Sequence, residues 1–324
     1  MTPTAPKTAL LADPIYKAHD TGPGHPEQPA RYDAVFEALT ALAPSLTPSP
    51  TWIPSRQATE DDLALVHTRP YIQLAHREIL AGRRELSTGD TTISPGSLDA
   101  ALAATGGVLN AIDAVVTGTA RNAFCAVRPP GHHARPDQGM GFCIFNSVAV
   151  AARYAQRHHG LAKVMIVDWD VHHGNGTQDT FYDDGSVFFF STHQWPWYPG
   201  TGPASETGTG PGKGATLNRP FPAGSGKAQI VAAFKEDLRT AADAFHPDLV
   251  LISAGFDSRL GDPLGGFTLQ DADFAELTKV MLGVAGEHAN GRLVSVLEGG
   301  YNLSGLAAAA AAHVKALTEG IAPA

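Results

Sequence analysis

The chain of 324 residues predicts a single-domain α/β fold, with a largely parallel central sheet flanked by helices. Three observations carry this. Short runs rich in Val, Ile and Phe alternate with longer stretches of helical periodicity, polar clusters recur where the apolar runs end, and no linker interrupts the pattern. In order, a helical pattern over 97–117 leads to a strand at 123–127, and one over 146–159 leads to a strand at 163–168. A further strand follows at 187–191. Helical pattern 227–244 then precedes strand 248–253, 270–287 precedes strand 293–297, and 304–318 closes the series. In that last pattern, Ala307 to Ala312 require only high helix propensity and close packing. Gln194 to Gly214 breaks the rhythm with Trp195, Trp197, Tyr198 and many Gly, Pro and Thr residues, and reads as a long functional loop. The Pro-rich stretches, the first few residues and Pro44 to Pro54, are too short and too early to separate two cores, so one catalytic domain is expected over 1–324.

Composition narrows the function. The net charge is −9 with no Lys or Arg cluster, which argues against nucleic-acid or membrane-surface partners. Cys125 and Cys143 lie inside apolar motifs rather than at framework spacing, which fits a reducing compartment. No continuous apolar run approaches the ~18 residues of a membrane span, and Ala9 to Ala12 is too short for a signal peptide. The expectation is a soluble, cytoplasmic protein. Gly208 to Gly214 is superficially like a phosphate loop, but its spacing is one residue short and Gly214 stands where Ser or Thr is needed. His158 and His159 are adjacent on a helix, do not face one another, and read as a solvated helix end.

The chemistry concentrates in Val167-Asp168-Trp-Asp170-Val-His172-His-Gly-Asn175-Gly176. Asp168, Asp170 and His172 occupy alternate positions where an apolar strand runs out, so a continuing strand turns all three one way, a geometry suited to a metal. Two other segments end in candidate partners: 248–257 in Asp257, and 124–133 in His132 and His133. Each alone could be a capping acid or a satisfied histidine. Ligands in open α/β sheets gather at the carboxyl ends of strands, so the three motifs are expected to converge.

The ordered set Arg128-Pro-Pro-Gly-His-His133, Gly141-Phe-Cys-Ile-Phe-Asn146, Asp168-Trp-Asp-Val-His-His-Gly-Asn175, Pro199-Gly-Thr-Gly202, Gly255-Phe-Asp257, Gly261-Asp-Pro-Leu264 and Glu298-Gly-Gly-Tyr-Asn-Leu303 closely resembles the zinc-dependent histone deacetylase family, in its class II and bacterial amidohydrolase flavour. The resemblance runs from His25-Pro-Glu27 to the last helix. It implies an arginase/deacetylase-type fold. It also implies a zinc ion held by Asp170, His172 and Asp257 with a position left open for water. Two carboxylates make a hard site, so Fe(II) or Co(II) would also serve.

By the same resemblance His133 is the general base and later acid, and His132 tunes the site. Asp168 and Asn175 would orient these two imidazoles, and Tyr301 is the oxyanion donor. Asn175 stands where many members have Asp, so His133 should be the less basic of the pair. Phe142 and Tyr198 would wall a narrow tunnel, Gly141 would let methylenes pass, and Leu264 would close one side of the rim. Asp90 matches a rim position that grips substrate, though a turn-forming Asp fits the sequence nearly as well. Arg31 corresponds to an arginine beside an acetate-release passage, against the competing view of a helix-surface arginine. Asp168, Ser191 and the carbonyls of Asp170, His172 and Thr192 would hold a structural potassium ion.

The expected activity is removal of a short acyl group, foremost acetyl, from the terminal amine of a lysine-like chain. Acetylpolyamine hydrolysis is the runner-up, because neutral Leu264 and the short Gly82–Gly96 loop lean away from it. A binuclear manganese ureohydrolase of arginase type would need further aspartate ligands and would leave the Arg-Pro-Pro-Gly-His-His motif without a role. A non-catalytic acyl-amine sensor would not need both the base and the tyrosine. Oligomeric state is left open.

Overall fold

The computed structural model describes residues 7–320; the Pro-rich first few residues lie outside them. Eight strands form one parallel sheet in the order β2-β1-β3-β8-β7-β4-β5-β6. They are β1 Lys7–Leu11, β2 Thr51–Ile53, β3 Ala120–Cys125, β4 Val164–Asp168, β5 Val187–Gln194, β6 Thr216–Phe221, β7 Leu249–Ala254 and β8 Leu293–Leu297. The helices are α1 Ala30–Leu42, α2 Glu60–Leu63, α3 Arg69–Leu80, α4 Ser97–Val116, α5 Ser147–His159, α6 Asn175–Phe181, α7 Lys227–Ala233, α8 Arg239–Phe245, α9 Asp271–His288 and α10 Leu303–Glu319.

The central strands β4, β7 and β8 are buried along their whole length and largely apolar because both faces are covered. In β4, Met165 and Val167 join a core with α1, α7, α8, α9 and α10, whereas Val164 and Ile166 join a second core with α4 and α5. Burying a side chain of this size contributes about 1.5–3 kcal/mol relative to exposure, so the period-two alternation fixes the register of each layer.

Several elements depart from expectation. The strands β1, β2 and β6 and the helices α1, α2, α3 and α6 fall outside the patterns read from the sequence. Thr51–Ile53 lies within the Pro-rich stretch, and β2 and β6 are sheet edges, where Pro220 is tolerated. The expected helix 227–244 is interrupted by a π-helical turn at Phe234–Leu238. Despite its polar residues, α4 is long and apolar enough to cross a membrane by length and composition, contrary to the reading of continuous runs. It is 67% buried within the fold, as a core helix is. His159 is not merely solvated at its helix end, because its Nε2 lies 2.7 Å from Asp113 Oδ1.

Candidate active site

Four adjacent strands, β3, β8, β7 and β4, deliver their C-terminal ends to one place. The alternating-strand argument stops at Asp168, the last residue of β4; beyond it carboxylates shape a loop. Asp168 Oδ1 accepts from Asp170 N at 3.0 Å, Asp170 Oδ1 accepts from His172 N at 2.9 Å, and Asp257 Oδ1 accepts from Val171 N at 2.9 Å. Asp170, His172 and Asp257 are all buried, and each presents a ligand atom within 4.8 Å of the other two. His172 Nδ1 lies 3.0 Å from Asp170 Oδ1 and 3.1 Å from Asp257 Oδ2. A Cβ on Gly299 would collide with the Asp170 and Asp257 carboxylates, so only glycine lets the β8 loop pass.

Electrostatics agree with a cation-binding role. Burial pushes Asp257 up to about 7, aided by the like charge of Asp170. Asp170 is held well below the carboxylate range although burial opposes this, because the charges of His132 and His172 outweigh burial. Burial also disfavours the His172 cation, yet its bonds to Asp170 and Asp257 raise it to about 10. Two buried carboxylates facing one nitrogen are a donor set that fits a divalent metal in tetrahedral or open coordination.

Beside this triad sit the two histidines at the end of the β3 loop, with ring centroids 4.0 Å apart. His132 Nδ1 lies 2.9 Å from Asp168 Oδ2, and His133 Nδ1 lies 2.8 Å from Asn175 Oδ1. Each Nδ1–H therefore donates to its oxygen partner, which leaves Nε2 of a neutral ring free to accept a proton. Although burial works against it, Asp170 and Asp168 raise His132 to about 10. Burial, with the neighbouring charges of His132 and His172, holds His133 well below its ordinary value. The carboxylates beside His132 thus favour its cation, and the surroundings of His133 favour its neutral ring.

A cavity of about 220 Å³ opens above these groups, lined by Asp90, His133, Gly141, Phe142, His172, Trp197, Tyr198, Leu264 and Tyr301. Both rim assignments made from the sequence fall on this lining. Asp90 Oδ1 accepts from Gly141 N at 2.7 Å and from the Tyr198 hydroxyl at 3.3 Å, so it ties the two sides of the mouth together. Gly141 and Phe142 both have positive φ, 57° and 68°, which places the Phe142 ring edge-on to Tyr301 at 6.0 Å. Burial raises the Tyr301 phenol well above its ordinary value, so it stays a hydrogen-bond donor.

Arg31 is fully buried, which removes the helix-surface view. Its Nε donates to Gly300 O at 2.7 Å, and its guanidinium sits 5.0 Å from the Tyr301 ring centroid. On the far side of the triad, Asp168 pairs in register with Ser191 of β5, with Thr192 next along the strand. The Thr192 hydroxyl is buried without a hydrogen-bond partner.

Four further residues were not singled out from sequence. Asp262 Oδ2 accepts from Tyr301 N at 2.7 Å and from Asn302 N at 3.1 Å, while its Oδ1 accepts from Leu264 N at 2.9 Å. Glu298 accepts from Gly131 N at 2.6 Å and His132 N at 3.1 Å. Glu27 pairs with Arg31 at 2.9 Å and with Arg128 at 2.5 Å. Trp197 lines the mouth and donates from Nε1 to Leu264 O at 2.9 Å. The first three lie inside recognisable motifs, Gly-Asp-Pro-Leu, Glu-Gly-Gly-Tyr and His-Pro-Glu, which was the available signal.

At its strand ends the parallel sheet thus gathers a buried carboxylate–imidazole centre, two oriented histidines and a phenol around one cavity, an arrangement suited to a hydrolase. Residues 25–317 match the family described as Histone deacetylase domain. The chain is 42% identical over 301 residues to Histone deacetylase 10, chloroplastic, of Oryza sativa subsp. japonica, covering 89% of this chain and 68% of that protein. It is 37% identical over 298 residues to the Probable deacetylase of Archaeoglobus fulgidus, covering 92% and 82%. It is 40% identical over 309 residues to the human Polyamine deacetylase HDAC10, covering 92% of this chain but 45% of that protein. The crystal structure of the HDA15 HD domain superposes with a TM-score of 0.91 at 37% identity, covering 98% of this chain and 89% of that one. The chain belongs to the histone deacetylase family and is a hydrolytic deacetylase.

Proposed function

We propose that this deacetylase is zinc-dependent and removes acetyl groups from the terminal amine of a lysine-like chain. The observation that carries the reading is the convergence of Asp170, His172 and Asp257 at the floor of a narrow cavity beside an oriented, neutral His133. A zinc ion held by those three residues would supply Lewis acidity toward the acyl carbonyl and the attacking water. His133 Nε2 takes the proton of the water as it attacks, and its Nδ1–H bond to Asn175 stabilises the imidazolium that results. That proton then passes to the departing amine. Charged His132, braced by Asp168, offsets negative charge in the transition state. The Tyr301 hydroxyl donates to the developing oxyanion. Phe142 and Tyr198 exclude water from the methylenes of the substrate, and Asp90 at the mouth accepts from an amide N–H or ammonium group.

The buried oxygen set of Asp168, Ser191 and the backbone around Asp170, His172 and Thr192 suits a hard monovalent cation, and potassium there would brace the loop bearing the zinc ligands. With both cysteines free and buried, we place the enzyme in the cytoplasm. A second reading, acetylpolyamine hydrolysis, is favoured by the likeness to a protein named as a polyamine deacetylase. Measuring acetate release from an acetyl-lysine peptide and from acetylspermidine, alongside metal analysis, tests both. Faster turnover of the peptide with zinc that is lost in His172→Ala supports the proposal; preference for acetylspermidine selects the second reading, and full activity without metal overturns the zinc assignment.

A further inference from the structure

Outside the cavity, the ends of two helices bring imidazoles and carboxylates together. His246 follows α8 with left-handed backbone angles, φ 54° and ψ 70°. Its ring faces His288, the last residue of α9, with ring centroids 5.3 Å apart and the two Nδ1 atoms 3.4 Å apart. His288 Nε2 lies 2.9 Å from Asp243 Oδ1, and Glu287 is held by Arg239 Nη2 at 2.5 Å. Asp243, Glu287 and His288 also present ligand atoms within 4.8 Å of one another.

At most one hydrogen fits between the two Nδ1 atoms. With the Nε2–H of His288 donated to Asp243, a neutral His288 turns its Nδ1 lone pair toward His246. A carboxylate that fixes the tautomer of an imidazole in this way is the arrangement found behind metal-ligating histidines. Two nitrogens at zinc-bond lengths on one tetrahedral cation stand about 3.3–3.4 Å apart, as these do. Both rings also sit at helix C-termini, where unpaired carbonyls favour positive charge.

We propose that His246 Nδ1 and His288 Nδ1 form a second site for a divalent transition metal, with Asp243 orienting His288. Imidazole ligands suit zinc, copper and nickel, and water completes the coordination. The site shares no residue with the cavity. Occupancy pins the end of α8 to the end of α9 and so acts on stability rather than turnover.

The test is titration of the metal-loaded enzyme with Zn²⁺ by calorimetry, with metal analysis after desalting. The wild type should take up one more ion than His246→Asn or His288→Ala, and Zn²⁺ should raise the melting temperature of the wild type alone. Asparagine tolerates the left-handed backbone, so the first variant keeps the helix end. Deacetylase activity should be unchanged in both. Asp243→Asn should keep the stoichiometry and weaken the added site ~10-fold. Equal stoichiometry in the wild type and both variants, or a Zn²⁺-induced melting shift that survives His288→Ala, would overturn the proposal.

Discussion

Asp168 and Asn175 give the two histidines different partners. Burial disfavours both cations, but Asp170 and Asp168 outweigh it at His132, whereas His133 has the charges of His132 and His172 beside it and only a neutral amide at 2.8 Å. His133 must be neutral to accept a proton, so the acidic limb of kcat/KM should lie below the ordinary histidine range. Asn175→Asp should move that limb to higher pH, because the added charge favours the protonated ring; an unmoved limb would exclude His133 as the base. Tyr301→Phe should keep the metal and lose at least ~10²-fold in turnover, the usual cost of one oxyanion donor. A near-normal rate would make Tyr301 a packing residue. Asp170→Ala, His172→Ala or Asp257→Ala should each abolish stoichiometric metal at the cavity floor together with activity, since three ligands are the minimum for such a site. Metal analysis decides this, and the assignment fails if all three variants retain that ion.

At the scale of elements, the loops after β4, β5, β7 and β8 hold the cavity through a few long-range hydrogen bonds. Asp262 ties the backbone of Leu264 at the rim to that of Tyr301, and Trp197 ties the β5 loop to Leu264. Leu264 presents no charge to the distal ammonium of a polyamine. Opposite charges ~5 Å apart gain about 3 kcal/mol at an effective dielectric near 20, before desolvation and screening. Leu264→Glu should therefore raise kcat/KM for acetylspermidine relative to acetyl-lysine peptide, and the gain should shrink as salt rises. An unchanged ratio at low salt would show that the Leu264 side chain does not meet the substrate. The strand ends carrying Asp168, Asp257 and His132 were legible because each motif follows directly on its own strand. The edge strands β2 and β6 were not, since short, half-exposed strands carry little periodicity.

Across the whole molecule, buried neutral histidines link stability to pH. His67 is pushed down to about 4, His193 to about 4 and His313 to about 3, in each case chiefly by burial. His67 Nε2 accepts from Asn146 N at 2.9 Å, a bond that its protonated ring could not make. Above the unfolded value of about 6.5 these groups are neutral in both states and cost nothing. As pH falls from there toward 4, the unfolded chain takes up protons on these rings that the folded one refuses, so the histidines should lower stability, at about 1.4 kcal/mol for each tenfold difference in proton affinity, against an opposing uptake in the fold by the raised carboxyls of Asp257 and Glu298. Urea unfolding across that range checks it; a flat profile would mean that the histidines do not outweigh these carboxyls. The amino-acid order by itself determined the parallel α/β class, because strand period is a property of neighbouring residues, and the likeness of its motifs to a known family pointed to Asp170, His172, Asp257, His132, His133 and Tyr301 as the site candidates. Only the tertiary structure decided that Arg31 is buried against Gly300, 269 residues away, that Asp90 holds Gly141, and that Asp262 and Glu298 brace Tyr301 and His132. Such roles depend on which buried donor an oxygen meets across the fold, and local spacing carries no record of that.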